Sequence, residues 1–172
     1  MSVAAFLQEF EMESAITRRV LERVPSDKLS WKPHAKSMSL GHLAMHIATG
    51  PGLIAGWALK DSFVFTREPA AVAASTADVL AAHDASAANV KTVLNTIGDA
   101  GLGTVWSASA GDKTLMTMPK AALVRVIVMN HLVHHRGQLS VYLRLLDVPV
   151  PSIYGPSADE NPFATTAAAA TV

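Results

Sequence analysis

No cysteine occurs in the chain, so a disulfide framework, a thiol nucleophile and a thiolate zinc site are all excluded. Charge is sparse and balanced. Charged residues make up 16% of the total, with 14 Lys and Arg against 14 Asp and Glu. Without a basic run, nucleic acid is not an expected partner. No apolar stretch approaches the ~20 residues that cross a bilayer. The first residues also lack a basic segment followed by an apolar one, so neither membrane insertion nor secretion is expected. Strand signals are almost absent, FVF at 63–65 being too short to change the class. No internal repeat is found. What remains is a soluble cytoplasmic domain, and 172 residues, half of them hydrophobic, suffice for one sizeable core.

Four helical segments follow from the apolar periodicity. The first covers about residues 4–23, with Phe6, Phe10, Ile16, Val20 and Val24 at mixed three- and four-residue spacings, and Pro25 ends it. The second covers about 39–60, with Ser39 as N-cap. The third covers about 76–97, capped by Ser75 or Thr76, with Asp78 in its first turn. Residues 98–113 read as a Gly-rich loop carrying Trp106. The fourth opens at Pro119, a residue tolerated at a first helical position, and runs to Leu146. The expected architecture is all-α, an antiparallel four-helix bundle with longer crossover connections. Its domain spans 1–163, and a mobile Ala/Thr-rich tail spans 164–172.

Against this plain background, two histidine pairs stand at helical i,i+4 spacing: His42/His46 in LGHLAMHIA and His131/His135 in NHLVHHRGQL. Residues four apart lie one above the other on a helix, and neutral imidazole is the commonest protein metal ligand. At about 100° per residue, the polar arc of the fourth helix holds Arg125, Asn130, Arg136, Gly137, Ser140 and Arg144. The opposite arc holds Val124, Val128, Leu132, Leu139, Tyr142 and Leu146. His131 and His135 fall in the middle of the apolar arc, where an imidazole is costly unless paired or ligating. His134 lies toward its edge. On the second helix His46 lies within the stripe of Leu43, Ile47, Gly50, Ile54 and Trp57, while His42 lies roughly 40° further out.

The best three-ligand set is therefore His46, His131 and His135, with His42 flanking it. Three imidazoles without a thiolate suit Zn, Ni or Fe(II) rather than Mg or Ca. Three protein ligands leave a position open for water or substrate, whereas entry of His42 as a fourth would close the site. Ligating imidazoles must be deprotonated, so affinity is expected to fall below about pH 6.

Four stretches together resemble the DinB/YfiT-like superfamily of small metal-binding helical bundles. They are P-x-x-x-L-x-W-x-P at Pro25, Leu29, Trp31 and Pro33, then SLGHLAMHIA, HLVHHRGQL, and DVPVPSIYGPSADE at 147–160. The resemblance implies the same ligands, His46, His131 and His135, a divalent ion such as Ni or Zn, and a homodimer. Some relatives are thiol-dependent S-transferases or isomerases, maleylpyruvate isomerase among them, using a low-molecular-weight thiol such as mycothiol or bacillithiol. Many have no established activity.

Further residues carry weaker expectations. Gln138 shares the inward phase and is placed to hydrogen-bond behind a ligand. Arg136, on the polar arc, faces solvent or a dimer partner, or grips an anionic substrate. Trp31 plugs the connector into the bundle, and Trp57 and Trp106 each pack or line a substrate pocket. Tyr154, Asp159 and Glu160, in the segment after the last helix, cap the bundle end or fold over the open metal position. His34 and His83 are expected at the surface. Ser109, Ser152 and Ser157 are hydroxyls with nothing marking a Ser-His-Asp arrangement, and no catalytic residue is assigned. The leading function is a metal-dependent transferase or hydrolase acting on a small molecule. The alternatives are a non-catalytic, metal-stapled stress-response or dimerisation module, and a packed bundle without an ion.

Overall fold

The structure, a computed structural model, describes residues 2–66 and 72–164. Helix α1 (Val3–Leu21) starts where the Ser2 hydroxyl accepts the Ala5 N–H, and it buries Phe6, Phe10, Ser14, Thr17, Val20 and Leu21. That three-to-four spacing is one helical face. Helix α2 (Leu40–Trp57) starts at Ser39, whose hydroxyl accepts the His42 N–H at 3.2 Å. Helix α3 (Thr76–Leu102) is capped by Ser75 and breaks at Gly98, where φ is +60°, before a last turn resumes. After Pro119 the chain is continuously helical in three stretches: α4 (Lys120–Ala122), a π-helical stretch (Leu123–Asn130) and α5 (His131–Leu145).

The expected single fourth helix is thus present, but its first half is wound more loosely. Within the π-helical stretch Leu123 and Val128 are buried, as are Val124 and Met129, each pair five residues apart. Hydrogen bonds from i to i+5 demand that spacing. In α5 the buried line Leu132, Arg136, Leu139 and Leu143 returns to steps of three and four.

Two expectations about architecture are corrected. The segment read as a Gly-rich loop is a hairpin of β2 (Val105–Ala110) and β3 (Lys113–Pro119), and β1 (Ser62–Val64) pairs in parallel with β2. The protein is mostly helical with a small three-stranded sheet, not all-α. Alternation explains the sheet: Trp106 and Ala108 turn inward, while Val105 stays exposed. Gly111-Asp112 supplies the two-residue turn, with φ +55° at the glycine as tight hairpin turns require.

The second correction concerns direction. Helix α1 packs on α3 and α5, and α2 packs on the same two. Val3 N–H donates to Asp99, and Arg18 pairs with Asp84, so α1 and α3 are antiparallel. Met38 meets Tyr142 and His46 meets His131, so α2 and α5 are antiparallel too. Glu9–Arg125 and Glu13–Arg136 instead make α1 run parallel to the last helix. Thr49 and Gly52 meet Ser86, and Gly52 meets Asn89, which makes α2 parallel to α3. The long connection between α2 and α3 lets the chain return before α3 begins, the arrangement that a short loop forbids, while the connection after α1 leads to the antiparallel helix across the bundle.

One hydrophobic cluster runs through all these elements, from Phe6 and Phe10 to Leu139 and Leu143, with Trp106 at the sheet end. The segment after α5 is lashed to the helices by Arg144–Asp159 and Arg19–Glu160, and Tyr154 accepts from Arg136 while donating to Glu13. Of the expected tail 164–172, only Ala164 lies within the described residues. No described helix is long and apolar enough to cross a membrane.

Candidate metal centre

Helix α2 carries His46 on its central turns, and α5 opens with His131 and brings His135 round one turn later. Because α2 and α5 pack antiparallel, the three rings meet between them. Their centroids lie 4.3–5.0 Å apart, with the planes nearly perpendicular. Nε2 of His131 is 2.9 Å from Nε2 of His135 and 3.4 Å from Nε2 of His46. One nitrogen from each ring lies within 4.8 Å of the others. Two nitrogens each about 2.0–2.1 Å from one ion stand roughly 3.4 Å apart at a tetrahedral angle and about 2.9 Å apart at a right angle. The spacing therefore fits a single ion held by three imidazoles.

The rings are half-buried. They sit where the core face of α5 turns toward α2, rather than at its centre as the uniform 100° step suggested. The π-helical stretch is one reason: a phase counted through it drifts. Half-burial leaves a ligand position reachable from solvent.

Proton affinity is set for ligation. Burial first, then the neighbouring His135 and His46, push His131 down to about 4. His46 is lowered by burial, then by His135 and His42. His135 is lowered by burial and by His134, against a hydrogen bond to Gln138 that raises it. At neutral pH all three are uncharged, the form that binds a metal. His135 Nδ1 donates to Oε1 of Gln138 at 2.7 Å, and since the amide oxygen can only accept, the lone pair of His135 is left on Nε2, facing its partners.

The other singled-out residues fall as follows. His42 is half-buried one turn before His46 and acts on it through charge. Gln138 is itself exposed. Trp57 stacks on Phe63 at 4.4 Å and on Trp106 at 6.3 Å, and its carbonyl accepts from the Trp106 indole. Arg136 is not on a solvated arc: it is 1% exposed. Its guanidinium is held by the Glu13 carboxylate at 2.7 Å, the Glu13 carbonyl and Thr17 hydroxyl at 3.1 Å each, and Tyr154 at 2.5 Å. A polar notch on α1 receives it, which a single-helix projection has no means of showing. His34 is exposed as expected. His83 is not; it is 5% exposed and bonded to Ser14 and Asp84.

A family model described as the DinB family matches residues 1–164. The uncharacterized protein YrdA of Bacillus subtilis (strain 168) is 28% identical over 164 residues, covering 90% of this chain and 89% of its own. Among solved structures, a DinB-like protein from Bacillus cereus ATCC 10987 superposes with a TM-score of 0.71 at 24% identity, over 89% of this chain and 98% of that one. The DinB-like protein YjoA of Bacillus subtilis gives a TM-score of 0.65 at 22% identity, over 84% and 95%. These two likenesses establish the fold.

Proposed function

From the premise that this chain belongs to the DinB family, we propose that it holds one divalent ion on His46, His131 and His135 and acts on a small molecule as a metal-dependent enzyme of transferase or hydrolase type. The observation that carries the reading is the convergence of three imidazole nitrogens from two helices within 4.8 Å. Nickel or zinc suits the all-nitrogen set best, with iron(II) third.

With three protein ligands, the centre is of the open kind. A bound ion there supplies Lewis acidity and lowers the pKa of water or of a low-molecular-weight thiol cosubstrate. The chain's own part is to present neutral imidazoles, to fix the His135 ring through Gln138, and to keep the centre at the α2–α5 seam where a small substrate can enter. A cytoplasmic homodimer is the proposed setting.

A second reading is favoured by His42, which stands one turn from His46. If it closed the site as a fourth ligand, the ion would staple α2 to α5 without catalysis.

The test is elemental analysis of protein purified without chelator or histidine tag, beside His135→Ala. About one equivalent of metal, lost in the variant, is the expected result. No uptake of Zn, Ni or Fe on titration overturns both readings. An exchangeable water at the ion separates the enzyme from the staple.

A further inference from the structure

Between α1 and α3, in a part of the fold other than the α2–α5 seam, a cleft of about 540 Å³ is lined by Phe10, Ser14, Arg18, His83, Asp84 and Lys91, among others. Its volume is in the range of small-molecule sites. In its wall the Ser14 hydroxyl lies 3.2 Å from Nε2 of His83, and Nδ1 of the same ring lies 3.2 Å from Oδ1 of Asp84. The direction of this chain follows from its end. Arg18 donates to both oxygens of Asp84, at 3.0 and 3.3 Å, and with His83 holds that carboxyl below the usual carboxylate range, so it is ionised and can only accept. His83 Nδ1 is then the donor toward Asp84, and in the uncharged ring Nε2 is left as the acceptor toward which the Ser14 O–H points. A hydroxyl facing a base that is itself oriented by a carboxylate is the arrangement of an activated serine nucleophile, whatever the order of its residues in the chain.

We propose that Ser14, His83 and Asp84 form a second, metal-independent site that cleaves small uncharged esters. The Ser14 oxygen attacks the ester carbonyl carbon while its proton passes to His83 Nε2, and the carbonyl electron pair moves onto oxygen. Collapse of that intermediate expels the alcohol, which takes the proton from His83 and leaves an acyl-Ser14. Water then repeats the step: His83 takes one of its protons, the acid is released, and Ser14 recovers its own. The backbone N–H groups near Ser14 are committed within α1, and Arg18 is committed to Asp84 and Glu22, so the oxyanion donor in this proposal is Lys91, which lines the cleft and can turn from its surface partner Glu11 without releasing Asp84.

Two features limit the substrate. Ser14 is 8% and His83 5% exposed, so only a short acyl group reaches them. The rim is charge-balanced, Arg18 against Asp84 and Lys91 against Glu11 at 2.7 Å, and Phe10, Ala15, Ala87 and Ala88 are apolar, which suits an uncharged ester.

The test treats full-length, chelator-stripped protein with a small fluorophosphonate and maps the adduct by peptide mass spectrometry, with p-nitrophenyl acetate as turnover substrate. One adduct, on Ser14, is expected, with no such adduct in Ser14→Ala and a labelling rate roughly 10²–10⁴-fold lower in His83→Gln. No adduct on the wild type overturns the proposal, as does an adduct on another residue, labelling that appears only after metal is restored, or an unchanged rate in His83→Gln. The wild-type adduct decides the matter even if a variant folds poorly.

Discussion

At the scale of single residues, the histidines between α2 and α5 tie stability to pH. In the unfolded chain each titrates near the ordinary value of about 6.5. In the fold His131 is pushed to about 4, and His46 and His135 are also lowered. Between those limits the unfolded chain binds more protons than the fold, so stability rises with pH. This contribution is fully present above pH 6.5 and is lost as pH falls toward 4. Metal-free protein should therefore melt at progressively lower temperature as pH drops from 6.5 to about 5.5, before the unfolded chain's carboxylates begin to take up protons and add the loss from Glu9, Asp84, Asp159 and Glu160, whose folded forms are all held lower. His131→Gln should flatten that slope; a melting temperature constant over this window in the parent would contradict the assignment. The same shifts move the loss of metal affinity below the pH 6 expected from ordinary histidines.

Arg136 poses a different residue-scale question, because a lone buried charge is costly. Removing it strands the Glu13 carboxylate, whose side chain is 14% exposed. Arg136→Met is expected to cost about 3–5 kcal/mol, measured by denaturant unfolding. A loss under 1 kcal/mol would mean that Glu13 finds water or Tyr154 sufficient.

At the scale of elements, the α2–α3 contact depends on one missing side chain. A Cβ at Gly52 would lie 2.8 Å from the backbone oxygen and hydroxyl of Ser86. The Gly52 N–H also donates to that hydroxyl at 2.8 Å, and Asn89 donates to the Gly52 carbonyl. Backbone cannot rotate away as a long side chain can, so Gly52→Ala should destabilise by about 1–3 kcal/mol. Gly50, with no atom near its missing Cβ, is the control. Thermal melts of the two variants compare them, and equal melting temperatures would remove the close approach as a constraint. Elements also mark where local reading stops. The start of α2 was legible because Ser39 caps it by a contact within three residues. The β2–β3 hairpin was not, because its alternation is short and its reward is tertiary: Trp106, fully buried, donates from its indole to the carbonyl of Trp57 on α2.

At the scale of the whole molecule, an ion between α2 and α5 joins elements distant in sequence. A ligand that binds only the folded state stabilises it by about 2.7 kcal/mol at a hundred times its dissociation constant. For a chain of this size that raises the melting temperature by roughly 5–11 °C. Calorimetry with and without zinc or nickel checks it, and His135→Ala should abolish the rise. No rise in the parent at saturating metal would count against ligation in the native state.

Helical spacing alone brought His131 and His135 onto one face and turned His46 inward, since a turn of 3.6 residues is a local property. The cap serines, the breaks at Pro25 and Gly98 and the DinB-like motifs were equally legible along the chain. The meeting of His46 with the other two, the burial of Arg136 in a notch on α1, and the joining of Ser14 to His83 required the fold. Each depends on which helices become neighbours and which way they run. That is decided by packing the whole core at once, a sum over contacts that no window of sequence contains.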